Sequence, residues 1–143
     1  MRIVLAADED RPVVHHVAKL LRERGHDVTL LPIGVWGDVA TRAARSVASG
    51  DHEQGVVMCW TGTGVSIAAN KVPGIRAALC VDAATAAGAR KWNDANVLAL
   101  SLRLLSEPVA TEILEAWLGS AYAKSEDESL RVISETERGE PAG

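Results

Sequence analysis

Five short, nearly unbroken apolar runs punctuate this sequence, and they leave few folds open to it. They cover Ile3 to Ala7, Asp27 to Leu31, Gly55 to Cys59, Ala77 to Val81 and Val97 to Ser101. Apart from the partly polar second run, they do not alternate between apolar and polar residues. A strand with one face in water alternates, whereas a strand covered on both faces does not. Between the runs lie stretches with helical spacing. Val13, Val14, Val17, Leu20 and Leu21 recur at three and four residues and stop at Gly25, and an Ala-rich stretch from Val39 to Ser49 stops at Gly50. Ser66 to Lys71 reads as a short helix ended by Pro73 and Gly74. Asp82 is placed to cap a helix running to about Trp92, and Ser106 with Pro108 opens another whose Val109, Ile113, Leu114 and Trp117 share a face. Ser125 and Glu128 have capping-box spacing, which predicts a last helix carrying Arg131 and Val132. Strand and helix alternate throughout. The fold class this predicts is α/β: a Rossmann-like three-layer sandwich around a five-stranded parallel sheet with right-handed crossovers.

The 143 residues suit a single domain, expected over residues 1–138, with a flexible tail over 139–143. With four Trp, one Tyr and no Phe, the core has to be aliphatic, so each tryptophan's position is informative. A formal net charge of -4 offers no basic surface for nucleic acid or an anionic membrane, so an anionic ligand needs a local basic pocket. Cys59 and Cys80 each end an apolar run, a pattern that fits a reduced cytosolic protein better than a disulfide scaffold. The opening "MRIVLAADED" is too short an apolar stretch for a secretory signal, and no run approaches the roughly 20 residues that span a bilayer. The expectation is a cytoplasmic protein. His15 and His16 are adjacent while His26 and His52 stand alone, so no metal-ligand spacing is present and no metal is expected.

In open α/β sheets, ligands collect beyond the carboxyl ends of the strands. That rule selects Asp8 after the first strand, Cys59 to Gly64 after the third, Asp82 after the fourth and Arg103 after the fifth. The stretch "CWTGTGVS" puts Gly62 and Gly64 just before a helix, where backbone N–H groups can take a phosphate or carboxylate. It is neither the dinucleotide fingerprint nor a nucleotide P-loop. Cys59 there is a nucleophile, a general base or a packing residue, and a neighbouring helix N-terminus favours its thiolate.

"GTGVSIAANKVPGIRAALC" followed by "NDANVLALSLR" resembles the type B ribose-5-phosphate isomerases and the related galactose-6-phosphate isomerase subunits, and the likeness runs from Asp8 to Arg131. The resemblance implies interconversion of aldose and ketose phosphates through an enediol, with no metal or cofactor. It implies Cys59 as the base, with Asp8 and Thr61 beside it in catalysis. The loop Trp60, Gly62, Thr63 and Gly64 would hold the sugar oxygens and the developing enediolate, and Asn93 matches the family's Asn-Asp-x-Asn stretch. Arg103 and Arg131 match residues linked to phosphate binding. A homodimer or a dimer of dimers, with each site built across an interface, is the assembly it implies.

This chain departs from the family pattern at several of these positions. Glu9 stands where the family usually has histidine, and Trp92 stands where a histidine helps open the sugar ring. An indole N–H only donates, so Trp92 cannot relay a proton. Trp36 and Gly37 replace a Tyr-Pro pair, Trp60 replaces a glycine, and Asp127 replaces one of two arginines on the last helix. Glu9, Trp36, Trp60 and Trp92 are accordingly expected to line the substrate pocket. Open-chain sugars or sugar phosphates are the substrates this favours. Two other readings stay open: a different reaction on the same scaffold with a ring stacked on the tryptophans, and a non-catalytic subunit completed by a second family chain.

Overall fold

The structure, a computed structural model, describes residues 1–140. Five parallel strands form one sheet: β1 (Arg2–Ala7), β2 (Asp27–Leu30), β3 (Gln54–Cys59), β4 (Ala77–Leu79) and β5 (Val97–Ser101), in the order β2-β1-β3-β5-β4. The helices are α1 (Pro12–Glu23), α2 (Trp36–Ala48), α3 (Thr63–Asn70), α4 (Ala83–Asn93), α5 (Glu107–Leu118) and α6 (Asp127–Glu137).

Successive strand residues feed two separate cores, which explains the unbroken apolar runs. Ile3, Leu5, Val56, Met58, Leu98 and Leu100 face α1, α4 and α5, while Val4, Ala6, Val57, Cys59, Val97 and Ala99 face α2 and α3. Crossovers of one hand put helices on opposite faces when the chain steps in opposite directions. The steps β1 to β2 and β4 to β5 run one way, and β2 to β3 and β3 to β4 run the other. The chain therefore reverses between the neighbours β1 and β3, whose carboxyl ends form the crevice where open sheets bind ligands.

Several boundaries differ from the sequence reading. Helix α3 begins at Thr63 rather than Ser66, because Gly62 takes a left-handed conformation (φ 76) and turns the chain directly into the helix. Helix α2 begins at Trp36, three residues earlier than its alanine pattern indicates. Asp82 and Ser106 do cap α4 and α5, accepting from the N–H groups of Thr85 and Val109. The capping box at Ser125 and Glu128 does not form. Lys124 is left-handed (φ 59), and Glu126, one residue beyond Ser125, holds the cap position. The Tyr122 hydroxyl serves that helix start instead, accepting from the Glu126 N–H at 3.2 Å and donating to Asp127 at 2.8 Å. Of the expected tail, Gly139 and Glu140 are described, with Glu140 paired to Arg138 at 2.7 Å, and residues 141–143 lie outside the described residues.

Candidate active site

Asp8 and Cys59 arrive side by side because their strands do. Ala7 is in register with Met58, and the Asp8 N–H donates to the Met58 carbonyl at 3.3 Å. Asp8, Trp36, Cys59, Trp60, Thr61, Thr63 and Gly64 together line a hollow of about 330 Å³, near the lower end of small-ligand pockets. Cys59 is buried, but its residue forms part of that wall. The indoles of Trp36 and Trp60 flank the hollow without closing it.

The loop after Cys59 is held by three hydrogen bonds from the end of β5 and the residues that follow it. The Cys59 carbonyl accepts from the Leu102 N–H at 2.9 Å, and the Trp60 carbonyl accepts from the Arg103 N–H at 3.0 Å and the Ser101 hydroxyl at 2.9 Å. Gly62 is irreplaceable on two counts: its φ is left-handed, and a Cβ there would lie 2.6 Å from Leu79 Cδ1 and 2.9 Å from the Leu100 carbonyl carbon. Trp36 lies directly on Gly64, whose added Cβ would sit 2.9 Å from the ring. Helix α3 thus begins, with first-turn amides that lack intrahelical acceptors by geometry, in the wall of the hollow that Cys59 also lines. The Thr61 and Thr63 hydroxyls pair with each other at 2.7 Å at the same rim.

Asp8 carries the electrostatic signature of the site. Its Oδ1 is buried with no hydrogen-bond partner, and burial, aided by the negative Glu9, raises its pKa. A buried carboxylate oxygen without a partner is costly, and it marks Asp8, a residue in the wall of the hollow, as a functional candidate. Glu9 is held by Arg11 at 2.6 Å, and the Arg11 guanidinium carbon lies 4.8 Å from the centroid of the Trp60 ring.

The remaining expected residues stand apart from this hollow within one chain. Trp92 lies over Gly88 of its own helix, and with Asn93, Ala84 and Thr85 it lines a second, shallow hollow of about 430 Å³. Arg131 projects from α6 and pairs with Glu135 at 2.5 Å. Arg103 joins the site through its backbone, and its exposed side chain has no hydrogen-bond or ion-pair partner among the described residues. Ser101 and Arg11 are the site residues that sequence reasoning missed. Ser101 is the one polar residue ending an otherwise apolar strand, which was its only signal. Nothing in the order of residues reveals the contact of Arg11 with Trp60. Among the described residues, no group of three or more His, Cys, Asp or Glu is gathered to hold a metal ion.

This arrangement has known counterparts. Residues 3–134 match the model described as Ribose/Galactose Isomerase. A D-erythrulose-4-phosphate isomerase of Pectobacterium atrosepticum is 44% identical over 88 residues, which are 62% of this chain and 58% of the relative. The ribose-5-phosphate isomerase B of Escherichia coli is 39% identical over 115 residues, 76% of each chain. Among solved structures, ribose-5-phosphate isomerase B of Clostridium thermocellum superposes with a TM-score of 0.93 at 34% identity, covering 97% of this chain and 99% of the other.

Proposed function

The chain belongs to the ribose/galactose isomerase family of sugar-phosphate isomerases, and from that premise we propose that it interconverts an open-chain aldose phosphate and its ketose isomer with Cys59 as the base. The observation that carries this reading is the shared hollow of Asp8, Cys59 and the start of α3. A base removes the proton from the carbon beside the carbonyl, and the electron pair moves onto the carbonyl oxygen. The enediolate so formed takes a proton back on the former carbonyl carbon, while the hydroxyl proton of the adjacent carbon passes to the oxyanion and the new carbonyl forms on the carbon that lost its proton. Cys59 Sγ is the group that takes and returns the carbon-bound proton. The α3 amides and the Thr61 hydroxyl, fixed before the reaction begins, stabilise the oxyanion. Asp8, in the wall of the hollow, orients a substrate hydroxyl.

The preference for open chains rests on Trp92. This side chain stands where the resemblance implies a ring-opening histidine, and an indole cannot perform that step. A tetrose 4-phosphate needs no such step, since its only ring-closing hydroxyl is esterified. The relative from Pectobacterium atrosepticum is named for D-erythrulose 4-phosphate, and a tetrose phosphate fits a hollow of about 330 Å³. We infer further that the working unit is a homodimer in which Trp92, Asn93 and Arg131 of a second copy complete each site, and that the two free thiols serve in the reducing cytoplasm.

The test is a panel assay of D-erythrulose 4-phosphate, ribose 5-phosphate and galactose 6-phosphate with purified enzyme. Turnover of the tetrulose phosphate at a kcat/KM above that of both cyclic sugars is the expected result. Turnover of none of the three would overturn the assignment, and equal turnover of all three would overturn the open-chain preference.

A further inference from the structure

Two adjacent carboxylates follow β1, Asp8 in the wall of the hollow and Glu9 next to it in the chain, a poor place to bring a phosphate dianion. The chain offsets them locally. Arg11 turns Nε and Nη2 toward a single oxygen of Glu9, each at 2.6 Å. Its guanidinium stands 4.8 Å from the centroid of Trp60, whose residue forms a wall of the hollow. A guanidinium on an aromatic face loses less freedom when it binds an anion than one waving in water. Its Nη1 edge has no partner among the described residues, and its side chain is 41% exposed, so a ligand can reach it. The backbone of Arg103 is joined to the Trp60 carbonyl through its N–H at 3.0 Å. Within one chain, Arg11 is the guanidinium whose position against Glu9 and Trp60 is fixed, and it offsets the two adjacent carboxylates.

We propose that Arg11, seated on Trp60 and tethered by Glu9, is the specificity-determining residue that binds the phosphate group of the substrate at the mouth of the Cys59 hollow. This rests on the isomerase reading for the substrate's identity, but the anion site can be measured without it. Arg11 makes no capping bond at the start of α1, so replacing it leaves that helix start intact.

Inorganic phosphate, titrated calorimetrically into wild type, Arg11→Gln and Glu9→Gln, reads the site directly, with thermal melts confirming that each variant folds. Losing a charge-assisted contact should weaken phosphate binding about tenfold to a hundredfold in Arg11→Gln. Glu9→Gln, which removes a repelling carboxylate and frees Arg11, should tighten it. In turnover, Arg11→Gln should raise KM for D-erythrulose 4-phosphate by a similar factor and change kcat far less. Equal phosphate affinity in wild type and Arg11→Gln, or no phosphate binding by the wild type, overturns the proposal. If phosphate binds as expected but no sugar phosphate is turned over, the isomerase reading fails while the Arg11 site stands.

Discussion

Burial treats the two thiols of this chain differently. Cys80 packs in the core on the α1, α4 and α5 side, where burial and the nearby negative Asp82 push it up to about 11. It stays protonated at neutral pH and has no access to a ligand. Cys59 ends β3 on the opposite face, against a hollow with helix amides and an orphaned carboxylate. Cys59→Ala should therefore lower kcat about a hundredfold to ten-thousandfold, the range for losing a positioned base. Cys80→Ala should leave kcat near wild type and remove about 1 kcal/mol of stability, read from denaturant midpoints. Asp8 makes a prediction about pH. Its folded-state pKa is raised, so the native state holds that proton more tightly than the unfolded chain. Its favourable contribution is complete below the ordinary aspartate range and is lost as pH rises through the raised value. At neutral pH the charged, partly buried carboxylate is a burden on the fold. Asp8→Asn should consequently melt higher than wild type at neutral pH, with the difference shrinking as pH falls through the raised value and gone below about 4. The same variant should turn over more slowly, since an amide is a weaker acceptor for the sugar hydroxyl. A melting advantage that persists unchanged in acid would contradict this account of Asp8.

At the scale of elements, the strands were legible to within a residue or two because burial on both faces writes itself into consecutive residues. The helix starts were less so. Backbone conformation at Gly62 and Lys124 decides where α3 and α6 begin, and side-chain periodicity is blind to it. The alanine pattern likewise missed the first turn of α2, which is where Trp36 reaches Gly64. Motif residues divide between chemistry and architecture in a way that order alone cannot separate. Asn96 of "NDAN" accepts from the Arg76 N–H at 2.8 Å and donates to the Gly74 carbonyl at 3.0 Å. Asn70 of "SIAANK" pairs with both the N–H and the carbonyl of Ala77, supplying the edge strand β4 with the ladder partner it lacks. These are fold contacts. Asn96→Ala should cost about 1–3 kcal/mol, from two lost hydrogen bonds that hold the loop before β4. Gly62→Ala should cost more, about 2–4 kcal/mol, combining a left-handed non-glycine with overpacking against Leu100 backbone that cannot move aside. Chemical denaturation of both variants decides it: a Gly62→Ala midpoint equal to wild type would mean the loop can relax in a way its packing denies.

The whole molecule poses the question that no single chain answers: half of the expected site lies outside the hollow that holds the other half. Asp8, Cys59 and the α3 start share one hollow, whereas Trp92 and Asn93 line another and Arg131 stands on α6. Apolar side chains lie exposed on the elements between them, with Ile67 at 61%, Val81 at 53% and Trp92 at 51%. Helix α6 carries Val132 and Ile133 yet buries no residue fully. Only the family resemblance implies sites shared between chains, because residues that meet across a two-fold axis need not be near one another in either chain. A homodimer reconciles the two halves if each hollow receives Asn93 and Arg131 from the second copy. Complementation tests that directly. Cys59→Ala alone destroys the base in both sites, and Asn93→Ala alone removes the donated group from both. In a mixed dimer both lesions fall in one site, and the other is assembled from two intact halves. Equal mixing makes about half of the dimers mixed, each with one of its two sites restored, so roughly one quarter of wild-type activity should return. Sedimentation of the separate variants should show dimers in both cases. If the mixture stays as inactive as its components while subunits demonstrably exchange, each chain's site is its own, and the residues around Trp92 serve some other contact.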